Sequence, residues 1–171
     1  MNQVFIRQAT KDDLPSLEWN GEYSHFRRLY ADTFTLVQDA KAVIWIAEMD
    51  GRSLIGQCFV SLKGNRPELA DGTQRAYIYG FRVKPQFRNQ GIGTTMMQII
   101  EDDLKQRSFT QVTLNVGQNN QAARRFYERL RYVVIGSDPG RWSYINEKGK
   151  RRDMHEPAWR MIKDLALSHT P

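Results

Sequence analysis

An α+β fold, with a mixed and mostly antiparallel central sheet flanked by helices, is predicted by three features of the sequence. Strand-like and helix-like stretches alternate along the chain, two β-branched and aromatic runs meet at the tight turn Asp50-Gly51, and apolar positions recur at helical spacing between the runs. At 171 residues the chain is expected to form a single domain, residues 1–171, with a core of its own.

The elements follow in order. Val4-Phe5-Ile6 opens as a strand, and Thr10 stands three residues before Asp13, the signature of a helix start, with Pro15 tolerable in the first turn. Phe26, Leu29, Tyr30 and Phe34 place a second helix over about Ser24 to Asp39. Ala42 to Glu48 and Leu54 to Leu62 read as an antiparallel pair across Asp50-Gly51. Lys63 to Gln74 has loop composition, and Arg75 to Val83 returns to strand. Ile92, Met96, Ile99, Ile100 and Leu104 give the next helix its apolar face. Thr110 to Val116 is a strand, Asn119 or Asn120 caps a helix to about Leu130, and Tyr132 to Ile135 is strand again. Trp142 to Ile145 begins a late hairpin that turns at Asn146 to Gly149, and a last strand lies near His155 to Ile162, where Pro157 suggests a sheet edge.

Composition removes several classes. Forty per cent apolar and 26% charged residues exclude a disordered chain. No run approaches the roughly 18 apolar residues of a membrane span, and Met1 to Asp13 carries charges where a secretory leader would be apolar, so no membrane partner and a cytoplasmic location are expected. Cys58, the single cysteine, sits in a strand pattern and reads as a small buried hydrophobe. The formal charge of +6 suits a polyanionic partner, a phosphate-bearing small molecule or a nucleic acid. Its basic residues are scattered (Arg27-Arg28, Arg124-Arg125, Lys148 to Arg152), and without a dense tract no nucleic acid is expected. His25, His155 and His169 are isolated from other ligand types, so no metal is expected.

Chemistry concentrates in two stretches. Arg88-Asn89-Gln90-Gly91-Ile92-Gly93 leads into a helix, whose first amides and dipole can hold a phosphate close to the main chain; the glycine pair alone describes a flexible turn equally well. The stretch lacks the Gly-Lys-Ser/Thr of a Walker loop and carries Met96 where a Rossmann turn needs a small residue. One helix and one strand later comes Leu114-Asn115-Val116-Gly117-Gln118-Asn119-Asn120-Gln121-Ala122-Ala123-Arg124-Arg125-Phe126-Tyr127, where Tyr127 by spacing alone could complete an apolar stripe.

Together these stretches, in this order and separation, resemble the GNAT superfamily of acetyl-CoA-dependent N-acetyltransferases, over Arg75 to about Ile135. Arg88, Gly91 and Gly93 match its pyrophosphate motif; Val116, Asn120, Ala123, Phe126 and Tyr127 match its second motif. The family usually has glycine where this chain has Asn89, which can also adopt left-handed geometry, and where it has Arg131.

The resemblance implies transfer of an acetyl group from acetyl-CoA to a primary amine by direct attack, without a metal. It implies that Arg88, Asn89, Gln90, Gly91, Ile92, Gly93 and Thr94 hold the pyrophosphate, and that Phe81, Arg82 and Val83 receive the pantetheine arm. Asn115, Asn120, Ala123 and Phe126 would complete the cofactor site, and Tyr127 would be the acid for the departing thiolate. No pattern ranks the base: Glu48 is the first choice beside Glu22, Tyr79 and Asp71, and an ordered water relay is the alternative. Glu22, Tyr23, His25, Tyr79, Arg27, Trp142 and Tyr144 are the candidates for acceptor binding. A noncatalytic acyl-CoA-binding module and, less favoured, a nucleic-acid-binding protein are the competing classes. An exposed edge strand near Pro157 would support a homodimer.

Overall fold

The computed structural model describes residues 3–168, so His169 lies outside the described residues. Nine strands and three α-helices appear among them. The strands are β1 (Val4–Gln8), β2 (Ala42–Met49), β3 (Ser53–Ser61), β4 (Arg75–Val83), β5 (Gln111–Gly117), β6 (Val133–Asp138), β7 (Arg141–Ile145), β8 (Arg151–His155) and β9 (Ala158–Asp164). The helices are α1 (Arg27–Gln38), α2 (Ile92–Gln106) and α3 (Gln121–Arg129). Seven strands form one sheet in the order β1-β2-β3-β4-β5-β9-β6, and β7 pairs with β8 in a hairpin beside it. Only β4 and β5 run parallel, so the sheet is mixed and mostly antiparallel, as expected.

Alternation along the central strands divides the core. On β2, Val43, Trp45 and Ala47 point to the face covered by α2 and α3, while Ile44 and Ile46 point to the face covered by α1 and the segment before it. Both faces are buried, which is why Ala42 to Ala47 reads as a continuous apolar run. The turn after β2 has Asp50 at φ 53° and Gly51 at φ 65°, a left-handed pair suited to a tight hairpin. Glu101 anchors α2 to the far side of the sheet by accepting from Tyr132 (2.9 Å) and Lys163 (2.7 Å). No helix among the described residues is long and apolar enough to cross a membrane.

Three expectations need correction. The first helix is a tighter 3₁₀ segment, Lys11–Gly21, interrupted where Trp19 and Asn20 turn left-handed; Thr10 and Asp13 do join at its start, the Thr10 amide donating to the Asp13 carboxylate at 2.6 Å. The Trp19 indole is held at that kink by Gln57 Oε1 (2.7 Å). The second helix becomes α-helical only at Arg27, after a single 3₁₀ turn at Ser24–Phe26.

The last strand is not an edge. Pro157 lies in the connector between β8 and β9, outside every ladder, and β9 inserts between β5 and β6. The edges are β1 and β6, which removes the support that a strand at Pro157 lent to a dimer.

The end of α3 carries a local strain that the sequence anticipates. Arg131 takes a left-handed conformation, φ 74°, so that the Tyr132 amide can return to the Tyr127 carbonyl at 3.0 Å. An L-residue there costs roughly 1–2 kcal/mol, part of which glycine gives back through its freer unfolded chain. Arg131→Gly is therefore expected to stabilise the protein by about 0.5–1 kcal/mol, raising Tm by about 1–4 °C in a calorimetric scan.

Candidate active site

The site begins where two strands separate. β4 and β5 pair from Arg75↔Gln111 to Ile78↔Leu114 and no further; beyond that point β4 continues against β3, and β5 against β9. A bulge drives the separation. The β3–β4 register passes from Phe59↔Tyr79 to Gln57↔Arg82, so that Gly80 and Phe81 together face Cys58. Gly80 stands at φ 60°, and a Cβ there would come within 2.5 Å of the Phe59 ring, so glycine is required on two counts. From Tyr79 to Val83, the edge of β4 toward β5 has no ladder partner among the described residues, and its main-chain groups can receive an extended ligand.

At the open end of β4 the chain turns into α2. Asn89 (φ 61°) and Gly91 (φ 84°) both take the left-handed geometry the turn needs, so Asn89 does stand in for glycine. Ile92, Gly93 and Thr94 begin the helix with amides that donate to no main-chain acceptor among the described residues. Arg88 is fixed beside them by its Nε bond to the Val83 carbonyl, 2.8 Å. Gly93 lets the helix start close against two rings, since a Cβ there would lie 3.3 Å from Phe126 and 3.4 Å from Phe81. Free donors, the positive helix end and an anchored guanidinium are what a diphosphate requires. Asn89 and Gln90 are exposed on this turn, whereas Phe81 and Val83 pack into the core.

The second motif sorts into packing and polar positions. Asn120 caps α3, its Oδ1 accepting from the Ala123 amide at 3.1 Å. Ala123 and Phe126 pack against the core, Phe126 between Phe81 (6.0 Å between centroids) and Tyr127 (5.3 Å). Tyr127 is wedged edge-on against Tyr132, and its hydroxyl has no hydrogen-bond partner among the described residues. Burial, reinforced by Cys58 and Tyr77, pushes its phenol well above the ordinary range. Cys58 itself is fully buried and its thiol is pushed up by burial, so it acts as a core hydrophobe, as expected.

On the opposite face the parted strands open into a cavity of about 1000 Å³. Six aromatic rings stand on its wall, Phe26, Tyr30, Phe59, Tyr77, Tyr79 and Trp142. Tyr30, Phe59, Tyr79 and Tyr77 form a ladder with successive centroids 5.4, 5.4 and 5.5 Å apart. Asp138 closes one end. Only 3% exposed, it accepts from Arg66 (2.9 Å), Arg160, Asn115 (3.2 Å) and the Gly140 amide (2.8 Å). Burial alone would raise its pKa, but the Gly140 amide, Arg66 and Asn115 outweigh it and hold the carboxyl at about 2.

Of the predicted acceptor residues, Tyr79 and Trp142 line this cavity. Tyr23 lies behind it, beneath the Arg82 guanidinium at 4.4 Å, and His25 packs on Phe26 at 4.2 Å. Glu22 is exposed at the end of the first 3₁₀ segment, away from the wall. Glu48 is not on the wall either: it accepts from Arg7 Nε at 2.8 Å, in a cluster that Asp13 completes. Asn115, expected at the cofactor, joins the Asp138 network on the cavity wall. Tyr30, Asp138 and Glu156 also line the cavity without having been expected there. One signal was available, the turn composition of Asp138-Pro139-Gly140.

Residues 6–132 match the acetyltransferase (GNAT) family. The chain belongs to that family. An uncharacterized N-acetyltransferase of Archaeoglobus fulgidus is 30% identical over 132 residues, covering 71% of this chain and 88% of its own. N-alpha-acetyltransferase 30 of Schizosaccharomyces pombe is 34% identical over 79 residues, covering 41% of this chain and 53% of the yeast protein. That match spans only about half of the yeast protein's length. Among solved structures, the ribosomal-protein-S18-alanine N-acetyltransferase of Escherichia coli superposes with a TM-score of 0.70 at 18% identity, covering 100% of this chain and 97% of its own. The spermidine/spermine N-acetyltransferase of Vibrio cholerae superposes at 0.70 and 17% identity, covering 96% of this chain and 94% of its own. The GNAT chain is thus an acyltransferase with the GNAT fold, and acetyl-CoA is the cosubstrate its family uses. Among its described residues no group of three or more His, Cys, Asp and Glu side chains gathers to hold a metal ion.

Proposed function

We propose that this chain acetylates a primary amine by direct attack on acetyl-CoA, with the α2 turn holding the diphosphate and Tyr127 serving the leaving sulfur. The observation that carries this reading is the parting of β4 from β5, which puts unpaired main-chain groups between the α2 amides and the aromatic cavity. Arg88 and the amides of Ile92, Gly93 and Thr94 neutralise the diphosphate at one end. The freed edge of β4, from Tyr79 to Val83, receives the amide-bearing arm as a neighbouring strand would, and its bulge amides polarise the thioester carbonyl.

The acceptor enters from the cavity side. Its nitrogen forms a bond to the carbonyl carbon, the carbon–sulfur bond breaks, and Tyr127 shares its proton with the sulfur as charge builds there. Because that phenol stays neutral at working pH, it is always present as a donor. The acceptor's own proton leaves through water. Glu48 is committed to Arg7 and Asp138 to its arginines, which leaves the exposed Glu156 and His155 on the cavity wall as the groups that accept from that water.

Calorimetry with coenzyme A and a thiol-release screen over amines test this function. Heat on binding and amine-dependent thiol release are expected. No heat with the folded protein would overturn it, and binding without turnover across the panel would favour the noncatalytic module.

A further inference from the structure

Tyr30 and Arg82 line the floor of the acceptor cavity, and Gln57 is buried beside Arg82. Gln57 and Arg82 are cross-strand partners on β3 and β4, facing α1, and Tyr30 on α1 reaches toward them. The Gln57 carbonyl is taken by the Trp19 indole at 2.7 Å, while its Nε2, fully buried, has no partner. The Tyr30 hydroxyl, in a residue only 3% exposed, has none at full hydrogen-bond geometry either, although Gln57 and Arg82 stand close enough to act on it as donors. Arg82 lines the cavity and is held over the Tyr23 ring, with no carboxylate paired to it among the described residues. Buried donors of this kind are normally satisfied, and a phenol and a guanidinium fork together can be satisfied by one planar, doubly accepting anion.

The charge on the wall agrees. Arg66 is paired with Glu68 and Asp138, and Asp138 with Arg66 and Arg160, which leaves Arg82 and Arg141 on the wall against Glu156. A polycation would meet this surface unfavourably. The aromatic ladder of Tyr30, Phe59, Tyr79 and Tyr77 runs from these donors along the wall and offers flat apolar surface to a flat body.

We propose that the acceptor amine carries a carboxylate on a flat apolar body, and that Arg82, with Tyr30, receives that carboxylate. This substrate class rests on the acetyltransferase reading above. Arg82 fixes orientation through its fork, so a lysine in its place retains charge but loses the paired geometry.

Matched acceptors test the proposal: phenylalanine against phenethylamine, and 3-(aminomethyl)benzoate against benzylamine, with spermidine as the polycation, each rate corrected for its fraction of free amine. In at least one pair the carboxylate-bearing amine is expected to exceed its counterpart in kcat/KM by about 10²-fold or more, and to exceed spermidine as well. Arg82→Gln should bring that ratio close to one, Arg82→Lys should retain part of it, and Tyr30→Phe should lower it, in variants whose melting shows that they fold. Equal or better use of the decarboxylated amine in both pairs, or a ratio unmoved by Arg82→Gln, overturns the proposal while leaving the acetyltransferase reading intact. If no amine turns over, calorimetry of 3-phenylpropionate on the protein saturated with acetyl-CoA decides: binding lost in Arg82→Gln supports the carboxylate site, and absent or unaffected binding overturns it. Absence of heat with coenzyme A itself overturns both readings.

Discussion

Tyr127→Phe is expected to lower kcat by about 10²-fold and to leave KM for acetyl-CoA nearly unchanged. The substitution keeps the ring that packs edge-on against Phe126 at 5.3 Å and Tyr132 at 5.9 Å, so only the O–H is lost. The pH dependence adds an independent check. Burial raises the Tyr127 phenol, and a raised acid pKa keeps the donating form present to higher pH. The parent rate should therefore show no alkaline decline due to this group at or below about pH 10, the ordinary phenol value. Steady-state kinetics over that range read both quantities. Full turnover in Tyr127→Phe would take the leaving-group role away from this residue.

Gly140→Ala should produce the largest loss of stability. A Cβ at Gly140 would lie 1.8 Å from the Glu156 carbonyl oxygen and 2.4 Å from its carbon, and the residue stands at φ 66°. Both obstacles are main chain, so no side chain can move aside to relieve them. The turn and the connector are also bonded to each other: the Glu156 amide donates to the Gly140 carbonyl at 2.9 Å, while the Gly140 amide donates to Asp138 at 2.8 Å. Separating them disturbs the Asp138 network with its two arginines. A loss of about 3–5 kcal/mol is expected, or roughly 10 °C in Tm. Gly136→Ala is the control. No atom lies within 4 Å of a Cβ built there, and its stability should change by less than about 0.5 kcal/mol. A small effect at Gly140 would mean that the turn can separate from the connector at little cost.

Local patterns made most of the fold legible, because each element carried its own marks. Arg75–Val83 was bounded correctly by loop composition before it and Lys84-Pro85 after it, and Asp50-Gly51 announced its left-handed turn. Pro157 misled because proline's exclusion from a ladder was taken to apply to the whole strand, when the residue lies one step before it. The turn proposed to hold the diphosphate was legible for the same local reason, since its free donors are consecutive main-chain groups. The acceptor cavity was not. Tyr30, Gln57, Arg82 and Asp138 come from α1, β3, β4 and β6, and nothing along the chain announces that a 3₁₀ kink at Trp19 and a bulge at Gly80 bring their surroundings together. Gly80, a lone glycine inside a strand pattern, marks the bulge itself but not what the bulge brings together. Glu48 was attractive as an acidic group near a strand end, but its partner Arg7 stands 41 residues away in sequence.

The break in pairing between β4 and β5 has an evolutionary consequence. As proposed here, acetyl-CoA is gripped chiefly by peptide groups, whereas the amine is read by side chains on the other face of the sheet. Peptide groups are the same whatever residues carry them, so mutation can remodel the amine pocket while the acetyl supply stays intact. The E. coli structure that shares this backbone at a TM-score of 0.70 retains only 18% of its residues. A scaffold divided in this way can exchange one nucleophile for another by drift at the pocket, without having to reinvent its delivery of the acyl group.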